Sequence, residues 1–210
     1  MTQTTKRAPA RKKPAAAPAA DATRTPLTPE SWIEAATAVL VDHGIDSVRV
    51  DVIASQLQVT RGSFYWHFRD REDLLRRVLQ AWRERATEQL TERLERASTD
   101  PATQLRDVIT LPLRGRSAAR AARIELAIRA WARRDAMAQQ ALAEADASRI
   151  GYIAQVFSSL GFPIAEARLR AFVLYSYVVA ESQISPSGTA AQREERSRFV
   201  EQLMRRQLGA

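Results

Sequence analysis

From Thr28 onward the apolar residues recur at intervals of three and four, and this period sets what the chain can fold into. Trp32, Ala36, Val39 and Leu40 share one side of a first helix, with Thr28 at its N-cap, Pro29 at the first helical position and Gly44 at its end. Val50, Ile53, Ala54 and Leu57 line a short second helix. A long helix capped by Asp70 carries the stripe Leu74, Leu75, Val78, Trp82, Leu90 and Leu94, and Glu72 and Asp73 in its first turn suit the macrodipole. Five more helices follow. They run from Asp100-Pro101 to near Gly115, from Ser117 to about Arg134, from Asp135 to Leu160, from Pro163 to about Ser182, and from a T-x-x-Q capping box at Thr189 and Gln192. Ser185 to Gly188 reads as a turn. No segment alternates as a strand would, so the expected class is all-α.

Composition narrows the function. The chain has no cysteine and only two histidines, His43 and His67, so no metal site and no cofactor are expected. No apolar run nears the roughly 18 residues of a membrane span, and no secretory apolar core follows the start. A soluble cytoplasmic protein without a membrane partner is the expectation. No paired carboxylates and no nucleophile elbow point to catalysis, so an enzyme is not expected. The net charge is +8, which favours a polyanion partner. Much of it lies in residues 1–26, where Lys6, Arg7, Arg11, Lys12, Lys13 and Arg24 face only Asp21. That segment has almost no large apolar residue and is expected to be a disordered basic tail rather than a proline-broken transit peptide. Arg11, Lys12 and Lys13 could track DNA phosphates or a minor groove, or simply stand in water.

Arg49 to Phe68 has the dimensions of a helix-turn-helix, with a turn at Gln58-Val59 and a second short helix from Thr60. In that motif the second helix enters the DNA major groove. At 100° per residue, Phe64 and Phe68 face inward toward Trp32 or Leu40. Ser63, Trp66 and His67 fall on other sides, and Arg61 and Tyr65 flank the core. Thr60 can cap the helix, and Gly62 permits close approach to a groove. Arg61 can donate to both acceptors of guanine, while Tyr65 and His67 can reach phosphate oxygens. Arg69 and Arg71 extend the positive edge. Trp66 fits either packing or a backbone contact.

The segment Val59, Thr60, Arg61, Gly62, Phe64, Tyr65, His67, Phe68, Asp70, Arg71, Glu72 and Leu74 resembles the end of the DNA-binding domain in the TetR family of transcriptional regulators. The resemblance covers about residues 31–78. After the basic tail of 1–26, it implies a homodimer with a three-helix DNA-binding domain over 27–73, its motif at about 50–69, and a helical effector-binding and dimerisation domain over 74–210. It implies base contacts from Arg61, Gly62, Ser63 and Tyr65, and phosphate contacts from Thr60, Tyr65, Trp66 and His67. Two positions depart from the family pattern. Gln58 stands where glycine is common in the turn. Arg49 replaces a capping Thr or Ser and could itself contact phosphate or a base.

The remaining expectations concern ligand and partner. The helix containing Ala171 to Ala180 is apolar almost all round, so it is either a central core helix or one covered by a second subunit. Phe172 and Val179, with Phe199 and Leu203 of the last helix, are the expected dimer seam. Trp82, Trp131, Tyr152, Phe172, Tyr175 and Ser176 are candidates to line an effector pocket, though most such residues are ordinary core. The expected function is a homodimeric regulator that binds double-stranded DNA at a palindromic operator, as a repressor released by a small-molecule effector. The rival reading is a basic architectural DNA-binding protein with no effector.

Overall fold

A computed structural model describes residues 27–184 and 188–206. The basic tail, with Arg11, Lys12 and Lys13, and most of the expected turn at Ser185 to Gly188 lie outside these residues. All regular structure among the described residues is helical. The helices are α1 (Pro29–His43), α2 (Val50–Gln56), α3 (Arg61–Phe64), α4 (Arg71–Arg83), α5 (Gln89–Ala97), α6 (Pro101–Thr110), α7 (Gly115–Ala132), α8 (Ala136–Ser159), α9 (Ile164–Gln183) and α10 (Ala190–Arg205). Short 3-10 turns occupy Ile45–Ser47 and Leu111–Leu113.

The expected caps form. Gly44 ends α1 at φ 78°, and its N–H donates to the Leu40 carbonyl at 3.0 Å. Asp70 Oδ1 accepts the Asp73 N–H at 2.8 Å at the start of α4. Thr189 and Gln192 form the reciprocal box of α10, at 2.8 and 3.3 Å.

Two apolar clusters organise the packing. One joins α1, α2, α3 and α4 to the end of α7 and the start of α8, and holds Trp32, Leu40, Ile53, Phe64, Leu74, Trp82, Ile128 and Trp131. The other gathers α5, α6, the end of α8, α9 and α10 around Leu105, Phe157, Leu174 and Met204. The architecture is an N-terminal helix-turn-helix headpiece with a helical C-terminal domain.

The helix that joins them is not uniform. Between α4 and α5, Glu84–Glu88 forms a π-helical turn. The sequence shows why. Leu74, Val78, Trp82, Ala86, Leu90 and Leu94 recur every fourth residue. In a straight α-helix each such step drifts by about 40°, so Leu94 would end on nearly the opposite side from Leu74. The wider turn takes up one residue and brings the stripe partly back onto the core.

Three ion pairs tie α7 to the headpiece. Arg120 reaches Glu34 at 2.9 Å, Arg123 reaches Asp42 at 2.7 Å, and Arg134, just past the end of α7, reaches Asp46 at 2.7 Å. The acid-free run Arg114 to Arg123 thus supplies two of these bridges.

Candidate nucleic-acid interface

The recognition segment rests on an aromatic floor. Phe64 is fully buried and meets Trp32 edge-on at 5.4 Å. Phe68 stacks on Phe64 at 5.2 Å, and the Arg77 guanidinium lies 5.0 Å from the centre of the Phe68 ring. Edge-to-face and offset rings of this kind are favourable beyond their buried area. The floor fixes the segment's inner face, so the opposite face is directed outward.

On that outward face Arg61 and Gly62 are exposed, Tyr65 is 58% exposed and Trp66 is 86% exposed. Ser63 and His67 are half-buried. Arg61, the Tyr65 hydroxyl, the Trp66 indole and the His67 ring have no hydrogen-bond partner among the described residues. Trp66 therefore does not pack against the described residues. The regular helix is shorter than expected, spanning Arg61–Phe64. Beyond it His67 and Phe68 both donate to the Phe64 carbonyl, at 3.0 and 3.1 Å. Thr60 stands at the N-cap, but its hydroxyl makes no capping bond. Instead the Ser63 hydroxyl donates to the Thr60 carbonyl at 2.8 Å. A Cβ on Gly62 would come 3.7 Å from the Thr60 hydroxyl, ordinary contact, so no protein neighbour requires the glycine.

The turn before α3 contains Gln58 at φ 56°, the left-handed conformation that glycine adopts freely. The cost for a residue with a Cβ is about 1–2 kcal/mol. It is offset by the packing of Val59 against the core and by its N–H, which donates to the Ala54 carbonyl at 2.9 Å.

Arg49 is the N-cap residue of α2, and its guanidinium holds both Asp51 carboxylate oxygens, at 3.2 and 2.8 Å. The arginine keeps the Asp51 carboxyl below the usual carboxylate range despite the opposing effect of desolvation. Arg71 departs from expectation. It does not extend a positive edge, because its guanidinium donates to the carbonyls of Val48 and Ile45 at 2.6 and 2.9 Å. It clips the start of α4 to the segment that leads into α2. Beside it, Asp73 is buried and accepts the Arg69 N–H at 3.2 Å, which holds its carboxyl below the usual range. Sequence reasoning missed both clamps, since their partners are backbone groups that a sequence pattern does not display.

The second set of candidate residues divides. Trp82, Trp131, Tyr152 and Tyr175 are buried. Phe172 is 62% exposed, and Ser176 is exposed with its hydroxyl turned back to the Phe172 carbonyl at 2.8 Å. Leu169, Phe172 and Val173 form an exposed apolar stripe on α9, and Phe199 and Leu203 form one on α10. Val179 is half-buried.

Between the two apolar clusters lies a polar layer that the sequence reading did not anticipate. Arg129 donates to Glu125 and Asp146, both at 2.7 Å, and to the Tyr175 hydroxyl at 3.0 Å. Arg149 donates to Glu125 at 3.1 Å, to Tyr175 at 3.0 Å and to the Thr87 hydroxyl at 3.1 Å. It also reaches the Ala86 carbonyl at 3.3 Å, inside the π turn. Tyr175 donates in turn to Asp146 at 2.5 Å. Burial pushes the Tyr175 hydroxyl up to about 12, so it stays protonated and serves as this donor. Both arginines are held more firmly charged than usual, because the carboxylates outweigh the desolvation that opposes it. The indole N–H of Trp82 is buried beside this layer without a partner, and the Arg149 guanidinium lies 5.4 Å from the centre of its ring. One signal was visible in the sequence: Glu125 and Arg129 stand four apart on one helix.

A buried aromatic floor beneath a short outward helix, joined to α2 by a tight turn, defines a helix-turn-helix. Residues 33–78 match the family model described as bacterial regulatory proteins, tetR family. Over these residues, about a fifth of the chain, the sequence is similar to the tetR-family DNA-binding segment. A protein of Escherichia coli K12, named as the probable repressor of the acrEF/envCD operon, is 37% identical over 89 residues. That match covers 41% of this chain and 39% of the relative, so it spans well under half of either. Solved structures share the fold over most of the chain. A transcriptional regulator of a Rhodococcus species aligns with TM-score 0.66 at 20% identity, over 85% of this chain and 94% of its own. The transcriptional regulator FadR of Bacillus subtilis, solved in complex with stearoyl-CoA, aligns with TM-score 0.61 at 19% identity, over 83% of this chain and 96% of its own. Among the described residues no helix is long and apolar enough to cross a membrane.

Proposed function

We propose that this chain is a sequence-specific DNA-binding transcriptional regulator. It acts as a homodimer and represses from a palindromic operator until a small molecule releases it. One observation carries the reading: Arg61, Tyr65, Trp66 and His67 have no hydrogen-bond partner among the described residues and stand on a segment whose other face is locked by Phe64 and Phe68. Arg61 and Tyr65 read bases together with Gly62 and Ser63, while Thr60, Trp66 and His67 hold phosphates. Arg49 joins them only by exchanging Asp51 for a phosphate. Arg11, Lys12 and Lys13 add sequence-independent phosphate contacts.

Residues 27–73 form the DNA-binding unit and 74–210 the unit for effector and dimer. The exposed stripes of α9 and α10, with Phe172, Phe199 and Leu203, meet the same stripes of a second copy, and Val179 borders that seam. The pair would hold two recognition helices about 34–36 Å apart, one DNA turn. The regulator reading draws support from the relative named as an operon repressor and the effector reading from the neighbour solved with stearoyl-CoA. Trp82 and Tyr175 at the polar layer, and the buried Tyr152, are the interior groups available to such an effector. It shifts the protein only if it binds the released conformer more tightly.

Selection of bound duplexes from random sequence should return a palindrome. On that operator, Arg61→Ala should weaken binding by about 1–3 kcal/mol and relax the preference at one base pair of each half-site. Unchanged affinity for both Arg61→Ala and Tyr65→Phe would remove these side chains from the interface.

A further inference from the structure

One face of α7 is used neither by the recognition surface nor by the polar layer. Arg123, Leu126, Ala127, Ala130, Trp131 and Arg134 follow one another at helical spacing and line a single open cleft of about 460 Å³. Its opposite wall is the last part of α1 with Gly44 and Ile45. The hollow has a plain cause. Ala127 and Ala130 offer only methyl groups, and Gly44, required at φ 78° to end α1, offers none. A Cβ there would meet nothing within 4 Å. The cleft lies between headpiece and C-terminal domain, a common place for ligand sites, and its size is in the range of small-molecule pockets.

The charges in its lining are of one sign. Arg123 and Arg134 stand at its two ends, eleven positions and about 16 Å apart along the chain. Each guanidinium is engaged by a carboxylate of the headpiece, Asp42 and Asp46, and in both pairs each side chain is more than half exposed. Such pairs are weak, because water and salt screen them. A guanidinium that gives up one carboxylate for another, held by two hydrogen bonds, loses little. The apolar area covered at the same moment is then net gain.

We propose that this cleft binds a small molecule with an apolar body that ends in a carboxylate. The body covers Leu126, Ala130 and the exposed edge of the wall, and the carboxylate displaces Asp42 from Arg123 or Asp46 from Arg134. Binding therefore removes one of the three ion pairs that hold the headpiece to α7. The site is separate from the buried interior around Tyr175. Its consequence for repression rests on the DNA-binding reading above, while the binding itself does not.

The test is calorimetric titration of the full chain, without DNA, with octanoate and with octylamine as a cation of the same length. Octanoate should bind and octylamine should not. Arg123→Gln/Arg134→Gln together should weaken octanoate at least tenfold, and Ala130→Trp, which fills the cleft from an exposed position, should do the same. Equal binding of acid and amine, octanoate affinity unchanged in both variants, or no binding of octanoate, decanoate or phenylbutyrate up to millimolar concentration overturns the proposal. Operator affinity measured by anisotropy separates the two readings. Operator binding without carboxylate binding sinks the cleft alone; the reverse leaves the cleft and sinks the regulator.

Discussion

Arg149 offers the sharpest test of how the interior is held. Its guanidinium serves Glu125, Tyr175, Thr87 and the Ala86 carbonyl, and its side chain is only 15% exposed. Arg149→Met would keep much of the volume and remove every one of these bonds. Glu125, 11% exposed, would retain Arg129 at 2.7 Å, but the layer would hold two carboxylates against one guanidinium. Breaking a buried pair from one side costs about 3–5 kcal/mol. The surviving Arg129 contact argues for the lower end, about 3 kcal/mol. At roughly 2–4 °C per kcal/mol for a chain of this size, the melting midpoint should fall by about 6–12 °C. Removing Glu125 as well restores the charge balance around Arg129, Asp146 and Tyr175. The Arg149→Met/Glu125→Met double variant should therefore be less destabilised than the sum of the two singles by about 2 kcal/mol. Urea unfolding at fixed protein concentration measures all four corners of this cycle. A single-variant loss below about 1 kcal/mol, or strict additivity in the double, would refute the view that this layer is a coupled network.

Two further outcomes follow from the surface and from the headpiece. Phe172→Glu or Leu203→Glu, on stripes exposed in the single chain, should sediment as a monomer where the parent sediments as a dimer, and should bind the palindrome at least tenfold more weakly; an unchanged sedimentation coefficient would move the interface elsewhere. Asp73 has its carboxyl held below the unfolded value of about 3.9, so its contribution is complete above that value and is lost as pH falls through the lower, folded one. The stability difference between parent and Asp73→Asn, read from urea midpoints, should thus stay constant from about pH 5 to 8 and shrink below about pH 4; a difference that grows on acidification would contradict the assigned bonds.

The parts of the fold that depend on local signals were legible in the sequence. The caps at Gly44, Asp70 and Thr189 and the apolar spacing marked most helix limits within a few residues. The floor of Phe64 and Phe68 followed from 100° per residue, and so did the outward face. What was not legible depends on partners distant in sequence. Arg71 reads as one more cation until its carbonyl partners, more than twenty residues earlier, are placed beside it. Arg149 is one of many arginines, and only the packing of α8 against the linker sets it on Thr87. Ser176 and Phe172 were candidates for a pocket because the helix is apolar all round, a pattern that cannot tell which side the rest of the chain covers.

The π turn in the connecting helix has a mechanical consequence. A helix that stores one residue in a widened turn has a length and a twist that differ from those of the same residues wound regularly. Returning Glu84–Glu88 to ordinary winding would turn everything beyond it by about 100° about the helix axis and lengthen the rod by about 1.5 Å. Arg149 holds the stored residue in place from the side, through Thr87 and Ala86. The screw between headpiece and body is therefore held at its widened turn by an arginine of α8, a helix of the body.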